Sequence, residues 1–211
     1  MQQYTAIDMA KRLIVDSIWK SANLEGLGTT FPKTEAIIEN APTETRSEEV
    51  LFVINMKRAW QFLLENLNCE NDIAILREYN KIVGNMMFNY AGQIRTFPVY
   101  IGGTSWQPDM PHTDDIIQIL KVMDSIEDAE RKALKFFCYV TRAQMFPDGN
   151  KRVAQLIANK ILIDNNIGIF QIPIEKLEEF KTLLVQFYET DEDGKIIDFM
   201  QEFCIKRIPP M

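Results

Sequence analysis

The stretch Phe146-Pro147-Asp148-Gly149-Asn150-Lys151-Arg152 separates two helical patterns and carries the strongest chemical signal in the sequence. An apolar helix is predicted to end near residue 143, and an amphipathic helix to begin near residue 150. The N–H groups at a helix N-terminus bind anions, and Gly149 leaves the backbone open to a ligand. Lys151 and Arg152 add positive charge at an already positive helix end, which is unfavourable unless an anion is present. The pattern predicts a phosphate-binding loop, while a plain Pro-Asp-Gly-Asn turn capped by Asn or Asp stays open as the alternative.

Most of the remaining sequence shows the spacing of amphipathic helices. Apolar residues recur at the helical period over residues 5–24, and Gly26 follows as a C-terminal stop. Thr45 and Glu48 match a capping box that would open a helix reaching residue 64. Further helices are predicted over residues 72–90, 113–124, 127–143, 152–165, 174–188 and 195–205. The run 127–143 is apolar on several sides, so we expect it at the centre of a helical bundle.

One segment departs from the helical pattern. Residues 93–111 alternate apolar and polar side chains, contain Gly102-Gly103 and include three prolines. This pattern predicts a small β-hairpin or an extended segment. The fold class is therefore mainly α with one hairpin, in a single domain over residues 1–211.

Bulk composition restricts the function further. The formal net charge of −7 and the pI near 4.9 argue against a nucleic-acid partner, because binding a phosphate backbone requires a basic surface. No apolar run approaches membrane-spanning length, so no membrane partner is expected and a cytoplasmic location is predicted. The three cysteines, Cys69, Cys138 and Cys204, have no CxxC spacing and are predicted to be reduced core thiols.

Three motifs, in order along the chain, resemble the Fic family. Residues 144–155 resemble the family signature His-Pro-Phe-x-(Asp/Glu)-Gly-Asn-Gly-Arg-x-x-Arg. Residues 91–95 and 99–103, Ala-Gly-Gln-Ile-Arg and Val-Tyr-Ile-Gly-Gly, are similar to the family's flap, which aligns a target protein as an added strand. Residues 21–26, Ser-Ala-Asn-Leu-Glu-Gly, match the pattern of the family's inhibitory helix, and residues 180–205 resemble its C-terminal helices. We call residues 144–152 the signature loop and residues 93–103 the flap.

The resemblance implies a Fic-type helical bundle, with an N-terminal segment over residues 1–44, a core over 45–170 and C-terminal helices over 171–211. Fic proteins typically transfer AMP from ATP to a hydroxyl of a target protein, so ATP and Mg²⁺ are the implied cofactors. By position, Asp148 would hold magnesium, while Asn150, Arg152 and the loop amides would bind phosphates. The implied nucleotide site comprises Phe146, Gly149, Asn150, Lys151, Arg152 and Gln155. The implied inhibitory residues are Ser21, Glu25 and Gly26, and the implied target-binding residues are Ile94, Arg95, Val99, Tyr100 and Ile101. A homodimer is left open.

Three departures from the family pattern bear on catalysis. Gln144 stands where the family has the histidine that takes the proton of the target hydroxyl, and a neutral amide has no useful basicity. Losing a positioned general base typically costs about 10²–10⁴-fold in rate. His112 is the only histidine, and we expect it at an ordinary surface or N-cap position. Lys151 replaces a glycine, as in the Doc branch, whose members phosphorylate their targets. Gln155 replaces the second arginine, so the charged partner of Glu25 would be Arg152 or Lys151, unless Glu25 only hydrogen-bonds Gln155.

Three functions therefore stay open at the level of sequence. The first is a Fic-type AMP transferase with weak or absent activity, in which Gln144, Asp148, Asn150 and Arg152 occupy the catalytic positions. The second is a non-catalytic module that binds a nucleotide or a protein. The third is a Doc-like phosphotransferase.

Overall fold

The architecture of residues 4–209 comes from a computed structural model and is mainly helical. The α-helices are α1 (Ala6–Arg12), α2 (Ile14–Leu24), α3 (Phe31–Ile38), α4 (Ser47–Glu65), α5 (Ile73–Val83), α6 (Thr113–Asp124), α7 (Ala129–Ala143), α8 (Asn150–Asp164), α9 (Leu177–Thr190) and α10 (Gly194–Phe199). A 3₁₀ turn, Ile174–Lys176, precedes α9, and a π-helical turn, Met200–Cys204, follows α10. Strands β1 (Gly168–Phe170) and β2 (Ile205–Arg207) pair antiparallel, with Ile169 opposite Lys206. The predicted mainly helical fold class is confirmed. Within residues 4–209, no helix has the length and apolar character needed to cross a membrane.

Helices α7 and α8 pack against each other at the centre of the bundle, as expected for the apolar run before the signature loop. Helix α8 is buried on nearly all sides and carries Lys160 into the interior. The Lys160 ammonium donates to the Cys69 carbonyl at 2.5 Å and to Asn71 Oδ1 at 3.0 Å. Burial lowers the pKa of Lys160, and Asp164 partly opposes this shift. These contacts hold α8, and with it the signature loop, against the connection between α4 and α5.

The N-terminal half differs from its predicted elements in two places. The single helix expected over residues 5–24 is interrupted at Leu13, whose backbone leaves helical geometry at φ −105° and ψ 13°. Helix α3 was missed, although Thr30 accepts from Lys33 N–H as its N-cap and Pro32 stands in its first turn.

Three further expectations need correction. Thr45 and Glu48 do not form a capping box, because α4 begins at Ser47 and Thr45 Oγ1 donates to the Glu49 side chain instead. The helix predicted over residues 72–90 ends at Val83 in α5. Cys138 and Cys204 are buried as predicted, and burial raises the pKa of both thiols, but Cys69 is exposed.

The predicted hairpin is not formed by the flap. Residues 93–111 contain no strand, and the antiparallel pair of the described chain joins β1 to β2, some 65 residues further along. An extended run forms a sheet only where a second run offers its backbone, and the prolines in this segment remove donors. The flap is therefore an irregular segment with a turn at Gly102 and Gly103, rather than a hairpin.

Candidate functional site

The turn that leads into α8 depends on Gly149. Its φ of +79° lies in the left-handed region, where an L side chain is strained. A Cβ here would come within 3.1 Å of Asn80 Nδ2 and 3.3 Å of Val83 Cγ2, so it would point into the protein. Asn80 Nδ2 also donates to the Asp148 carbonyl at 2.8 Å. Gly149 is thus required by the turn and by its packing on α5, rather than by the approach of a ligand as the sequence suggested.

Replacing Gly149 by alanine is expected to lower the free energy of unfolding by about 1–2 kcal/mol, the cost of a left-handed L residue. Crowding against Asn80 and Val83 adds to this cost. Urea unfolding monitored by circular dichroism measures the change. Gly102→Ala is the matched control, because a Cβ there meets nothing within 4 Å. Equal effects of the two substitutions would contradict this account of the turn.

Asn150 closes the signature loop from inside. Its Oδ1 accepts from Phe146 N–H at 3.0 Å, and its Nδ2 donates to the Phe146 carbonyl at 2.9 Å and to Gln144 Oε1 at 3.0 Å. Both amide atoms are therefore used within the loop, and a contact with phosphate stays a prediction. The Phe146 ring is fully buried and packs in the core, so a contact between its backbone and a nucleotide stays a prediction.

Gln144 occupies the C-cap of α7 in a left-handed conformation, at φ 44° and ψ 48°. Its Nε2 donates to the Thr141 carbonyl at 2.6 Å, while its Oε1 accepts from Asn150. The amide is thus held on the loop at the position of the family's histidine, and it can orient a hydroxyl without deprotonating it. His112 is exposed at the N-cap of α6, which confirms its ordinary surface placement.

The N-terminus of α8 has the features of an anion site. Gly149 offers no side-chain cap, and the first turn contains no acidic residue. Beneath it, the Arg152 guanidinium is 4% exposed and lies 5.6 Å from the Phe52 ring centroid and 5.5 Å from that of Phe88. Arg152 Nη1 donates to the Val83 carbonyl at 3.1 Å, but the buried Nε makes no hydrogen bond. A buried donor without a partner is costly, so this atom marks a place where an acceptor would be stabilised.

The end of α2 brings an acidic side chain to this site. Gly26 adopts φ +78°, and the Leu27 N–H donates back to the Ala22 carbonyl at 3.1 Å, as in a Schellman turn. Glu25 is the last residue before this reversal. The Ser21 hydroxyl is buried and makes no hydrogen bond.

Glu25 reaches the signature loop. Its Oε2 lies 3.0 Å from Lys151 Nζ, and its Oε1 lies 3.9 Å from Arg152 Nε, too far for a hydrogen bond. Gln155 is not its partner, because Gln155 Nε2 donates to the Lys151 carbonyl at 3.2 Å. Lys151, which stands where the family has a glycine, therefore pairs with Glu25. The Glu25 carboxylate supplies the anion that the positive N-terminus of α8 favours.

Asp148 is suited to an external cation. Its side chain is 61% exposed, and its Oδ2 lies 3.3 Å from Arg152 Nη2. Within residues 4–209 no three His, Cys, Asp or Glu side chains converge on a metal position. One exposed carboxylate fits Mg²⁺, because Mg²⁺ commonly binds one or two carboxylates together with substrate phosphates. It does not fit a metal ion that is held by protein ligands alone.

A cleft of about 500 Å³ lies beside the loop, between α2, α9 and the flap. Sequence reasoning missed the four side chains of α9 that line it, among them Lys181 and Tyr188, because α9 showed only an ordinary helical pattern. Burial, and then the nearby Glu25 carboxylate, raise the pKa of Tyr188, so its phenol stays neutral. The lining residues are Leu24, Glu25, Tyr100, Ile101, Gly102, Gly103, Gln144, Asp148, Lys151, Lys181, Leu184, Val185 and Tyr188.

The flap residues divide into two groups. Tyr100 is 76% exposed, and Ile94, Val99 and Ile101 are half-buried. Of these residues, Tyr100 and Ile101 line the cleft. Arg95 is buried, and its N–H donates to the Met145 carbonyl at 3.0 Å. The prediction that Arg95 contacts a target is therefore wrong for both its side chain and its N–H, since the protein itself uses them.

No protein-family model matches the sequence. Protein adenylyltransferase fic-1 of Caenorhabditis elegans is 30% identical over 176 residues, which covers 77% of this chain and 34% of that protein. The chain thus spans about a third of the length of this curated relative. The structure of Fic-1 from Caenorhabditis elegans is 24% identical, has a TM-score of 0.76 and covers 95% of this chain and 62% of that one. A Fic domain-containing signalling protein from Bacteroides thetaiotaomicron is 16% identical, with a TM-score of 0.71 over 92% of this chain and 82% of that one.

Proposed function

This chain belongs to the Fic family, and from that membership we propose that its signature loop binds ATP with magnesium and transfers AMP weakly to a hydroxyl of a target protein. One observation carries the proposal: the buried Arg152 keeps an unpartnered Nε beneath the uncapped N-terminus of α8. Helix amides and a guanidinium together favour phosphate oxygens. The exposed Asp148 carboxylate would hold Mg²⁺ against those oxygens.

The transfer step explains why the activity would be weak. The oxygen of the target hydroxyl attacks the α-phosphorus of ATP, the bond from that phosphorus to the bridging oxygen breaks, and pyrophosphate leaves. Gln144 can orient the hydroxyl, but its proton must pass to solvent because the amide is not a base. Positioning and electrostatic stabilisation by Arg152 and the α8 amides would supply the remaining rate enhancement.

The target would dock on the flap. Residues 98–101 have no regular secondary structure and are followed by a turn at Gly102 and Gly103, and within the described residues the backbone of Val99 and Tyr100 makes no hydrogen bond. Such a segment can accept an added strand, whose main chain would supply affinity. Because Tyr100 and Ile101 line the same cleft as Gln144, a hydroxyl on that strand would face the signature loop.

Binding of Mg-ATP is the direct test of this proposal. Calorimetric titration is expected to show saturable binding, weakened about 10–150-fold by Arg152→Gln through the loss of charge-assisted hydrogen bonds. Arg58→Gln is the matched control, because it makes the same change at an exposed position on α4. Because Arg152 also donates to Val83, near-ultraviolet circular dichroism must show that the variant is folded. If it is not, Arg152→Lys, which keeps the charge, is measured instead and is also expected to weaken binding.

Unchanged affinity in a folded Arg152 variant would refute nucleotide binding at this site. One observation favours a second candidate, a nucleotide-binding module without turnover: Gln144 provides no base. That candidate predicts ligand-induced stabilisation without label transfer. Label arriving from the γ-phosphate rather than the α-phosphate would instead identify phosphotransfer.

A further inference from the structure

Arg95 is a buried guanidinium that bonds to two separate parts of the site. Its side chain is 2% exposed, and all its donor atoms have acceptors. Nε donates to the Gln144 carbonyl at 2.6 Å. Nη1 donates to the Phe97 carbonyl at 3.0 Å and contacts Met110 Sδ at 3.3 Å, and Nη2 donates to the Asp109 carbonyl at 2.5 Å. Because the guanidinium is planar and its donors point in fixed directions, these hydrogen bonds fix the relative positions of the acceptors.

The first acceptor belongs to the end of α7. The last carbonyls of a helix lack partners within the helix, and a cation is favoured beside them. Arg95 meets both needs, since its Nε binds the Gln144 carbonyl and its N–H binds the Met145 carbonyl at 3.0 Å. Because Gln144 adopts a strained left-handed conformation, these bonds also hold that residue in place.

The other acceptors lie at the two ends of residues 97–109. By binding Phe97 and Asp109 together, the guanidinium closes the base of this loop. The far side of the loop is held on α9, where Thr104 Oγ1 donates to Glu189 Oε1 at 2.9 Å and the Trp106 ring stacks on Tyr188. The unpaired residues 98–103 are therefore held at both ends, although they form no sheet.

We infer that Arg95 is a positioning residue that fixes the unpaired flap backbone at a set distance from Gln144. A segment held in this way is ordered before a partner arrives, which lowers the entropic cost of adding a strand. The bond to Gln144 aligns that strand with the residue that would orient the target hydroxyl. The inference rests on the proposed docking of a target at the flap.

Arg95→Lys tests the inference by amide hydrogen exchange. Lysine keeps the positive charge, but its single ammonium cannot reach the carbonyls of Gln144, Phe97 and Asp109 at once. We expect exchange at the amides of residues 95 and 106, which donate to the Met145 carbonyl and to Thr104 Oγ1, to become at least about tenfold faster, as for the loss of two hydrogen bonds to a charged group. Exchange in the interior of α4, α7 and α8 should stay unchanged.

Arg77→Lys is the matched control, because Arg77 Nε donates only to the Gly92 carbonyl, at 2.9 Å, just before the flap. Uniformly faster exchange throughout Arg95→Lys, or equal effects of the two variants on the amides of residues 95 and 106, would overturn the inference. This measurement needs no nucleotide, so it gives a result even if the proposed transferase activity fails. In a Gln144→His background, Arg95→Lys should lower the rate of α-phosphate label transfer at least about tenfold without changing the affinity for Mg-ATP. An unchanged transfer rate there would also overturn it.

Discussion

Gln144→His is expected to raise the transfer of α-phosphate label from ATP to protein by about 10²–10⁴-fold, the usual contribution of a positioned general base. The substitution supplies a basic nitrogen at the α7 C-cap, where the proton of the target hydroxyl would be released. The backbone of residue 144 is left-handed, and histidine is among the residues enriched in that conformation. The fold should therefore accept the change with little strain.

The pH profile of this variant gives a second readout. An imidazole acts as a base only when neutral, and its ordinary pKa is about 6.5. Transfer by Gln144→His should therefore rise as the pH increases through about 6.5 and then level off. The wild-type chain should lack this step, since the Gln144 amide does not titrate.

Gln144→Asn is the matched control for this experiment, because it keeps an amide and adds no base. A folded Gln144→His variant that binds Mg-ATP but transfers no more label than the wild type would exclude Gln144 as the residue that limits activity. The non-catalytic module would then be the better description of this chain.

Glu25→Gln should strengthen the binding of Mg-ATP by about 5–150-fold, the range typical of coupling between two ligands of one site. Glu25 places a carboxylate 3.0 Å from Lys151 Nζ and 3.9 Å from Arg152 Nε, where a phosphate oxygen would otherwise find positive charge. Glutamine keeps the shape of the side chain and removes its charge. Calorimetric titration of both proteins gives the two affinities.

Asp16→Asn controls for the loss of a negative charge on the same helix, because Asp16 pairs with Lys20 at 2.7 Å, on a different part of α2. It should leave the affinity unchanged. The stability of Glu25→Gln should fall by no more than about 1 kcal/mol, since partly exposed ion pairs contribute little. Equal affinities of Glu25→Gln and the wild type would show that Glu25 does not compete with the nucleotide.

The sequence alone determined the features that depend on local order along the chain. Helices α6 and α7 follow from an apolar stripe at helical spacing, and the turn at Gly149 follows from its residue types, because both depend on neighbours within a few positions. The motif order also allowed the mainly helical fold to be predicted, together with the absence of a histidine at position 144.

Which distant groups meet depends on how the helices pack. Residues 168–170 pair with residues 205–207, while residues 93–111 form no strand. The sequence of a short strand does not indicate which distant strand it will pair with. Arg95 was expected to face a target, yet acceptors provided by three other parts of the chain keep it inside. The pairing of Glu25 with Lys151, across 126 positions, likewise depends on how α2 packs beside α8. The sequence shows which side chains are charged or can form hydrogen bonds. Which of these side chains are buried and paired depends on packing between helices and loops that lie far apart in the sequence.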